Sequence, residues 1–161
     1  MSAEIRSRIV AFLREIGLSV QVRHLSDATF LPGVRVEHGG LVFDPDRLSY
    51  PGDLLHEAGH LAVVPAIDRE VMDGEIVANA AHEMAAIAWS WAAAVHLRLD
   101  PRVVFHPHGY KGGAEALIEN FTHGRYVGVP MLEWRGMTDY QRAGAEQSAT
   151  RYPVMKQWLC D

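Results

Sequence analysis

The 161-residue sequence contains a single cysteine, Cys160, beside the C-terminus. One thiol can form neither an intrachain disulfide nor a cysteine-based zinc cage, so the chain is expected to fold without either. A reducing, cytoplasmic environment suits that composition. Hydrophobic residues make up 48% of the chain, which is enough for a packed core, and the length predicts one domain over residues 1–161.

The chain also lacks an excess of basic charge and a long apolar run. Its formal net charge is −5, and its Lys and Arg residues are scattered, so nucleic acid is not an expected partner. The most apolar segment, residues 84–97, is shorter than the roughly 18 residues of a membrane span. Charged residues interrupt the first twenty positions, which argues against an export signal. Neither a membrane partner nor secretion is therefore expected.

Hydrophobic periodicity predicts an α+β domain with a small, mostly antiparallel sheet. Apolar residues recur at helical spacing over residues 3–16 and alternate over residues 18–25 and 34–43, where His38-Gly39-Gly40 predicts a tight turn. A short helix is predicted over residues 54–63 and a buried backing helix over residues 80–97, with Trp89 and Trp91 in the core.

The C-terminal half is less regular. A short helix is predicted over residues 114–121 and an extended stretch around residues 126–134. Thr138 and Gln141 resemble a capping box for a C-terminal helix, whose last turns Pro153 is expected to restart.

The pentapeptide HEAGH occupies positions 56–60, inside the predicted 54–63 helix. Histidines four residues apart share a helix face, so both imidazoles can reach one ion, while Glu57 lies at the edge of that site. Zinc suits imidazole nitrogen and lowers the pKa of its bound water toward about 7. His56 and His60 are therefore predicted to bind Zn²⁺, and Glu57 to activate the water. Gly59 is expected to admit a close neighbour beside the helix.

A catalytic zinc site needs a third protein ligand, for which Glu83 and His82 are the candidates. Glu83 heads an apolar helix, where a metal would satisfy a buried carboxylate. The alternative is an exposed first-turn glutamate that favours the helix dipole. Glu83 shares a face with small or apolar side chains, whereas His82 shares its face with Trp89 and His96, which suits the periphery of a site. Glu83 is the preferred ligand.

The HEAGH motif followed by a helix that offers Glu83 resembles the gluzincin class of zinc metallopeptidases, especially the compact minigluzincins. The resemblance covers residues 34–97, about two fifths of the chain. It implies a zincin-like fold in which His56, His60 and Glu83 bind zinc and Glu57 is the general base. It also implies that the strand at residues 41–44 aligns a peptide or protein substrate.

The loop over residues 106–113 holds His106, His108 and Tyr110, and is either a mobile active-site wall with hydrogen-bond donors or an ordinary surface turn. His38, His96 and His123 are expected to be surface or core residues rather than ligands.

Three functions follow from these patterns. The favoured function is zinc-dependent hydrolysis of a peptide bond. A second is a non-catalytic regulatory or partner-binding zincin-fold protein that keeps a metal. A third is a helical interaction module without a metal.

Overall fold

Six α-helices and a three-stranded sheet are present in residues 2–74, 76 and 79–161, which the computed structural model describes. Short 3-10 turns follow at Pro101–Val103, Tyr110–Gly112 and Ala145–Gln147. The α+β class predicted from the sequence is confirmed. In chain order the elements are α1 (Ser2–Glu15), β1 (Val20–Val22), β2 (Val34–Glu37), β3 (Gly40–Phe43), α2 (Asp53–Ala62), α3 (Ala66–Arg69), α4 (Ala80–His96), α5 (Ala114–Thr122) and α6 (Val129–Trp134).

The sheet has the strand order β1-β3-β2 and is mixed rather than mostly antiparallel. β2 and β3 form the predicted hairpin, whose turn residues His38 and Gly39 both have positive φ, at 48° and 75°. That pair of conformations suits a two-residue hairpin turn. β1 pairs in parallel with the other edge of β3. The connection over residues 23–33 is too long for a tight hairpin between β1 and β2. It carries β2 to the far edge of the sheet, so β1 pairs with β3 rather than with β2.

The central position of β3 corrects one expectation from the resemblance. Residues 41–43 pair with β1 on one side and with β2 on the other. Asp44, directly after the strand, accepts hydrogen bonds from the backbone N–H groups of Leu25, at 2.9 Å, and Asp46, at 3.0 Å. A substrate strand needs a free backbone edge. The segment at residues 41–44 therefore cannot align an extended peptide by sheet addition.

The backing helix α4 lies at the centre of the fold. Residues 85–94 are all buried, and the helix packs against α2, which in turn packs against the sheet. Trp89 and Trp91 are core residues as predicted, and the Trp89 indole N–H donates to the carbonyl oxygen of Trp158 at 2.9 Å. No helix in the described part of the chain is both long enough and apolar enough to cross a membrane.

The C-terminal region differs from the prediction in two places. The stretch predicted as extended contains α6, and Pro130 is compatible with that helix because it falls in the first turn, where its missing N–H has no cost. The helix predicted to begin at Thr138 is absent from the region after α6, all of which is described. The buried Thr138 hydroxyl donates instead to the carbonyl oxygens of Val154, at 2.7 Å, and Thr150, at 3.2 Å.

Gly59 sets the spacing between α2 and α4. A Cβ atom added there would lie 2.8 Å from the Ala86 carbonyl oxygen and 3.2 Å from the Ser90 hydroxyl. The expectation that Gly59 admits a close neighbour is thus confirmed. The close approach matters for the site because α2 and α4 carry its side chains.

Replacing Gly59 with Val is expected to destabilise the fold by at least about 2 kcal/mol, since the added carbons must push a helix backbone away. Urea unfolding followed by circular dichroism measures the change. Ala11→Val, on the exposed face of α1, is the control for the cost of a β-branched side chain in a helix. Equal destabilisation of the two variants would show that the contact between the helices imposes no constraint.

Candidate metal centre

Helix α2 places His56 and His60 one turn apart on the same face. Their Nε2 atoms lie 3.3 Å apart, with the His60 side chain 5% exposed and that of His56 14% exposed. Burial lowers the pKa of His56 to about 4, with the nearby His106 contributing. Burial also lowers the pKa of His60 to about 3, with contributions from His56 and His82. Both rings are therefore neutral near pH 7 and can offer lone pairs.

Helix α4 brings Glu83 to the same point. Its Oε2 atom lies 3.3 Å from Nε2 of His60, and its Oε1 atom lies 3.7 Å from Nε2 of His56. One ligand atom from each of the three residues falls within 4.8 Å of the other two. The Glu83 side chain is 35% exposed, so the cluster opens toward solvent on its side. Of the two sequence candidates for a third ligand, Glu83 is the one that faces both Nε2 atoms.

The donor set is of a kind that binds zinc. Tetrahedral ligands at about 2.0–2.2 Å from the ion lie about 3.3–3.6 Å from one another. The two Nε2 atoms lie 3.3 Å apart, and each of them has a different Glu83 oxygen near it, at 3.3 Å for His60 and 3.7 Å for His56. Two neutral imidazoles and one carboxylate leave a fourth position for water, as in catalytic zinc sites. His56, His60 and Glu83 together could therefore hold a single metal ion, and their donor atoms are ones that zinc accepts.

The second nitrogen of each imidazole also has a partner. The Tyr110 hydroxyl lies 2.9 Å from Nδ1 of His56, and Nε2 of His82 lies 2.8 Å from Nδ1 of His60. Such partners fix the tautomer and orientation of a metal-binding histidine. His82 lies outside the three-residue cluster, and its ring contacts the predicted ligand His60 directly.

Glu57 directly follows the predicted ligand His56 on α2, and its side chain is half-buried. Burial raises the pKa of its carboxyl to about 7, with the negative charges of Asp53 and Glu83 adding to the effect. A carboxyl that titrates near the working pH suits a general base. Glu57 is thus adjacent in sequence to a predicted ligand and is not one of the three converging residues.

One part of the loop over residues 106–113 forms a wall of the site, and another part is an ordinary surface turn. His108 is exposed and its ring stacks on that of Tyr50, with the centroids 5.7 Å apart. Tyr110 reaches the site, but its hydroxyl is engaged with Nδ1 of His56. Burial holds the pKa of Tyr110 well above its usual range, so the hydroxyl keeps its proton. Tyr110 is thus part of the site wall, and His108 is not.

Sequence reasoning missed a buried pair between Asp53 and His106. The Asp53 Oδ1 atom lies 2.7 Å from Nε2 of His106, and the His106 ring stacks on Tyr50 with centroids 3.8 Å apart. Burial raises the pKa of Asp53, opposed by its contacts with His106. Asp53 precedes Glu57 by four residues and so shares its helix face, a signal that was readable in the sequence. The pair fastens the start of the loop to α2.

The remaining histidines discussed above lie away from the cluster. His38 is exposed in the hairpin turn, and His123 is exposed with its ring nitrogen on the Glu119 carbonyl oxygen. His96 packs between Phe12 and Trp158.

No protein-family model, curated protein or solved structure significantly matches this chain. The gluzincin resemblance therefore depends on the HEAGH motif and Glu83 alone.

Proposed function

We propose that this protein is a zinc-dependent hydrolase whose substrate is a peptide bond. The convergence of His56, His60 and Glu83, with one ligand atom of each within 4.8 Å of the other two, is the observation that supports the proposal most strongly. The raised pKa of Glu57, caused mainly by burial with added effects of the Asp53 and Glu83 charges, supports a reaction rather than a purely structural ion. The peptide substrate comes from the resemblance to the gluzincins.

The proposed mechanism assigns one role to each residue. A bound zinc ion would act as a Lewis acid, polarising the scissile carbonyl and lowering the pKa of a water molecule. His56, His60 and Glu83 would hold the ion. Glu57 accepts a proton from the attacking water and delivers it to the leaving amine as the carbon–nitrogen bond breaks. Tyr110 keeps the His56 ring in place.

A metal-free hydrogen-bonded chain is the competing interpretation of the same geometry. His82, His60, His56 and Tyr110 are linked in series by nitrogen–nitrogen and nitrogen–oxygen distances of 2.8, 3.3 and 2.9 Å. Such a chain needs no metal and is compatible with the third function given above, an interaction module without a metal.

Elemental analysis of protein purified without chelators tests the proposal first, with about one zinc per chain expected. Digestion of a diverse peptide library, read out by mass spectrometry, tests it second. Cleavage should stop after chelation and return when zinc is added back. A metal-free protein would favour the hydrogen-bonded chain. A zinc-loaded protein that cuts no peptide would favour the regulatory alternative.

A further inference from the structure

His60 is held on both of its ring nitrogens by adjacent residues of α4. Glu83 faces its Nε2 atom at 3.3 Å, and His82 faces its Nδ1 atom at 2.8 Å. The two residues lie in the first turn of α4. Asn79 caps the start of that helix, because its side chain accepts a hydrogen bond from the His82 backbone N–H at 2.8 Å. One capped helix turn thus positions both Glu83, the predicted carboxylate ligand, and His82, the partner of the second nitrogen of His60.

The contact between the His82 and His60 rings is a hydrogen bond rather than face-to-face stacking. The ring planes differ by 11° and the ring centroids are 5.0 Å apart, while the facing nitrogens are only 2.8 Å apart. Because the facing nitrogens are so much closer to each other than the ring centroids are, the two rings must meet edge to edge in nearly one plane. That arrangement directs an N–H bond of one ring at the lone pair of the other.

We propose that His82 is a positioning residue for the metal centre, which holds His60 in the tautomer that binds zinc. This inference rests on the proposed function. When Nε2 of His60 is a zinc ligand, the ring proton is on Nδ1 and is donated to Nε2 of His82. His82 then carries its own proton on Nδ1. Without an acceptor at this position, His60 can place its proton on Nε2, where the Glu83 carboxylate faces it, and that tautomer cannot bind the ion.

The partner is unusual in its chemistry. Outer partners of zinc-binding histidines are often carboxylates or backbone carbonyls. Here the described partners of the two imidazoles are a second imidazole and a phenol hydroxyl, both uncharged in the state proposed. The orientation of His60 is thus secured without adding a further negative charge next to the predicted ligands.

His82→Ala is expected to weaken zinc binding by about 10- to 100-fold in a competitive chelator titration, because the Nδ1–H of His60 loses its acceptor. His82→Gln is the conservative variant, since its side-chain oxygen can accept the same proton, and it should retain most of the wild-type affinity. His123→Ala removes an exposed imidazole and is the matched control. Circular dichroism checks that each variant folds.

A second measurement reports the tautomer itself. In zinc-loaded protein with ¹⁵N-labelled histidine, long-range ¹⁵N–¹H spectra should show the proton of His60 on Nδ1, protected from exchange in wild type and in His82→Gln. The protection should be lost in His82→Ala. This signal separates an effect on His60 from a general loss of helix stability.

The outcomes distinguish the two proposals. A wild-type protein that binds zinc, together with a His82→Ala variant of equal affinity, would overturn the role of His82 and leave the hydrolase proposal standing. A His82→Gln variant as weak as His82→Ala, or a His60 proton found on Nε2, would also overturn it. A wild-type protein that binds no zinc would remove both proposals together.

Discussion

Replacing Glu57 with Gln is expected to leave zinc bound and to lower kcat for peptide hydrolysis by about 10² to 10⁴, the usual contribution of a general base. The amide keeps the shape of the side chain but cannot accept a proton. Because Glu57 is not one of the three clustered residues, the metal content should stay at the wild-type level. Turnover and elemental analysis on the same preparation separate chemistry from binding.

The pH profile gives an independent check on Glu57. The base acts only when its carboxyl is ionised, so the wild-type rate should rise as the pH passes upward through its pKa. Burial brings that pKa to about 7 in the metal-free protein. A neighbouring divalent cation favours the carboxylate, so the midpoint in loaded enzyme should lie lower. Glu57→Gln should lack this acidic limb.

Glu146→Gln is the matched control, because Glu146 is an exposed glutamate far along the chain from the motif. Its kcat and pH profile should match those of wild type. Unchanged turnover in Glu57→Gln would instead remove Glu57 as the base.

The double variant His56→Ala, His60→Ala is expected to reduce zinc from about one equivalent per chain to none. Only Glu83 would remain of the three converging side chains, and one carboxylate does not hold zinc against solvent and buffer. Since bound metal stabilises the folded state by mass action, Tm should fall in wild type when a chelator is added. The double variant should show no such response.

Two further variants sharpen the test. Glu83→Ala alone should weaken zinc binding by orders of magnitude while leaving some binding by the two histidines. The control His38→Asn, His123→Ala removes two exposed imidazoles, and Asn is chosen for position 38 because it tolerates the positive φ there. If the His56→Ala, His60→Ala variant retained as much zinc as this control, the metal site would lie elsewhere in the chain.

Local sequence signals identified most of the N-terminal two thirds. Periodicity located α1, α2 and α4 to within a residue or two, and His38-Gly39 identified the hairpin turn. Gly59 indicated the close approach of a neighbouring segment. These features depend on residues a few positions apart, whose helical or strand spacing is readable directly.

The last third was harder to predict because distant side chains organise its backbone. The fully buried Asp139 carboxylate accepts hydrogen bonds from Arg142 and from the hydroxyls of Ser148 and Thr150, and it pairs with Lys156 at 2.7 Å. These contacts, that with Arg142 above all, hold the pKa of the Asp139 carboxyl well below its usual range. Nearby, the Glu133 carboxylate accepts hydrogen bonds from the backbone N–H groups of residues 140–142. Such bonds replace helical ones, so the apparent capping box at Thr138 starts no helix.

The sequence by itself determined that His56, Glu57 and His60 occupy one helix, since their spacing within a single element fixes their relative directions. Tertiary structure decided everything that needs two elements. The packing of α2 on α4 through Gly59 brings Glu83 to the Nε2 atoms and His82 to the Nδ1 atom of His60. The folding of the 106–113 loop onto Asp53 brings Tyr110 to His56. Those contacts join residues more than twenty positions apart, and their geometry depends on packing that no local pattern encodes.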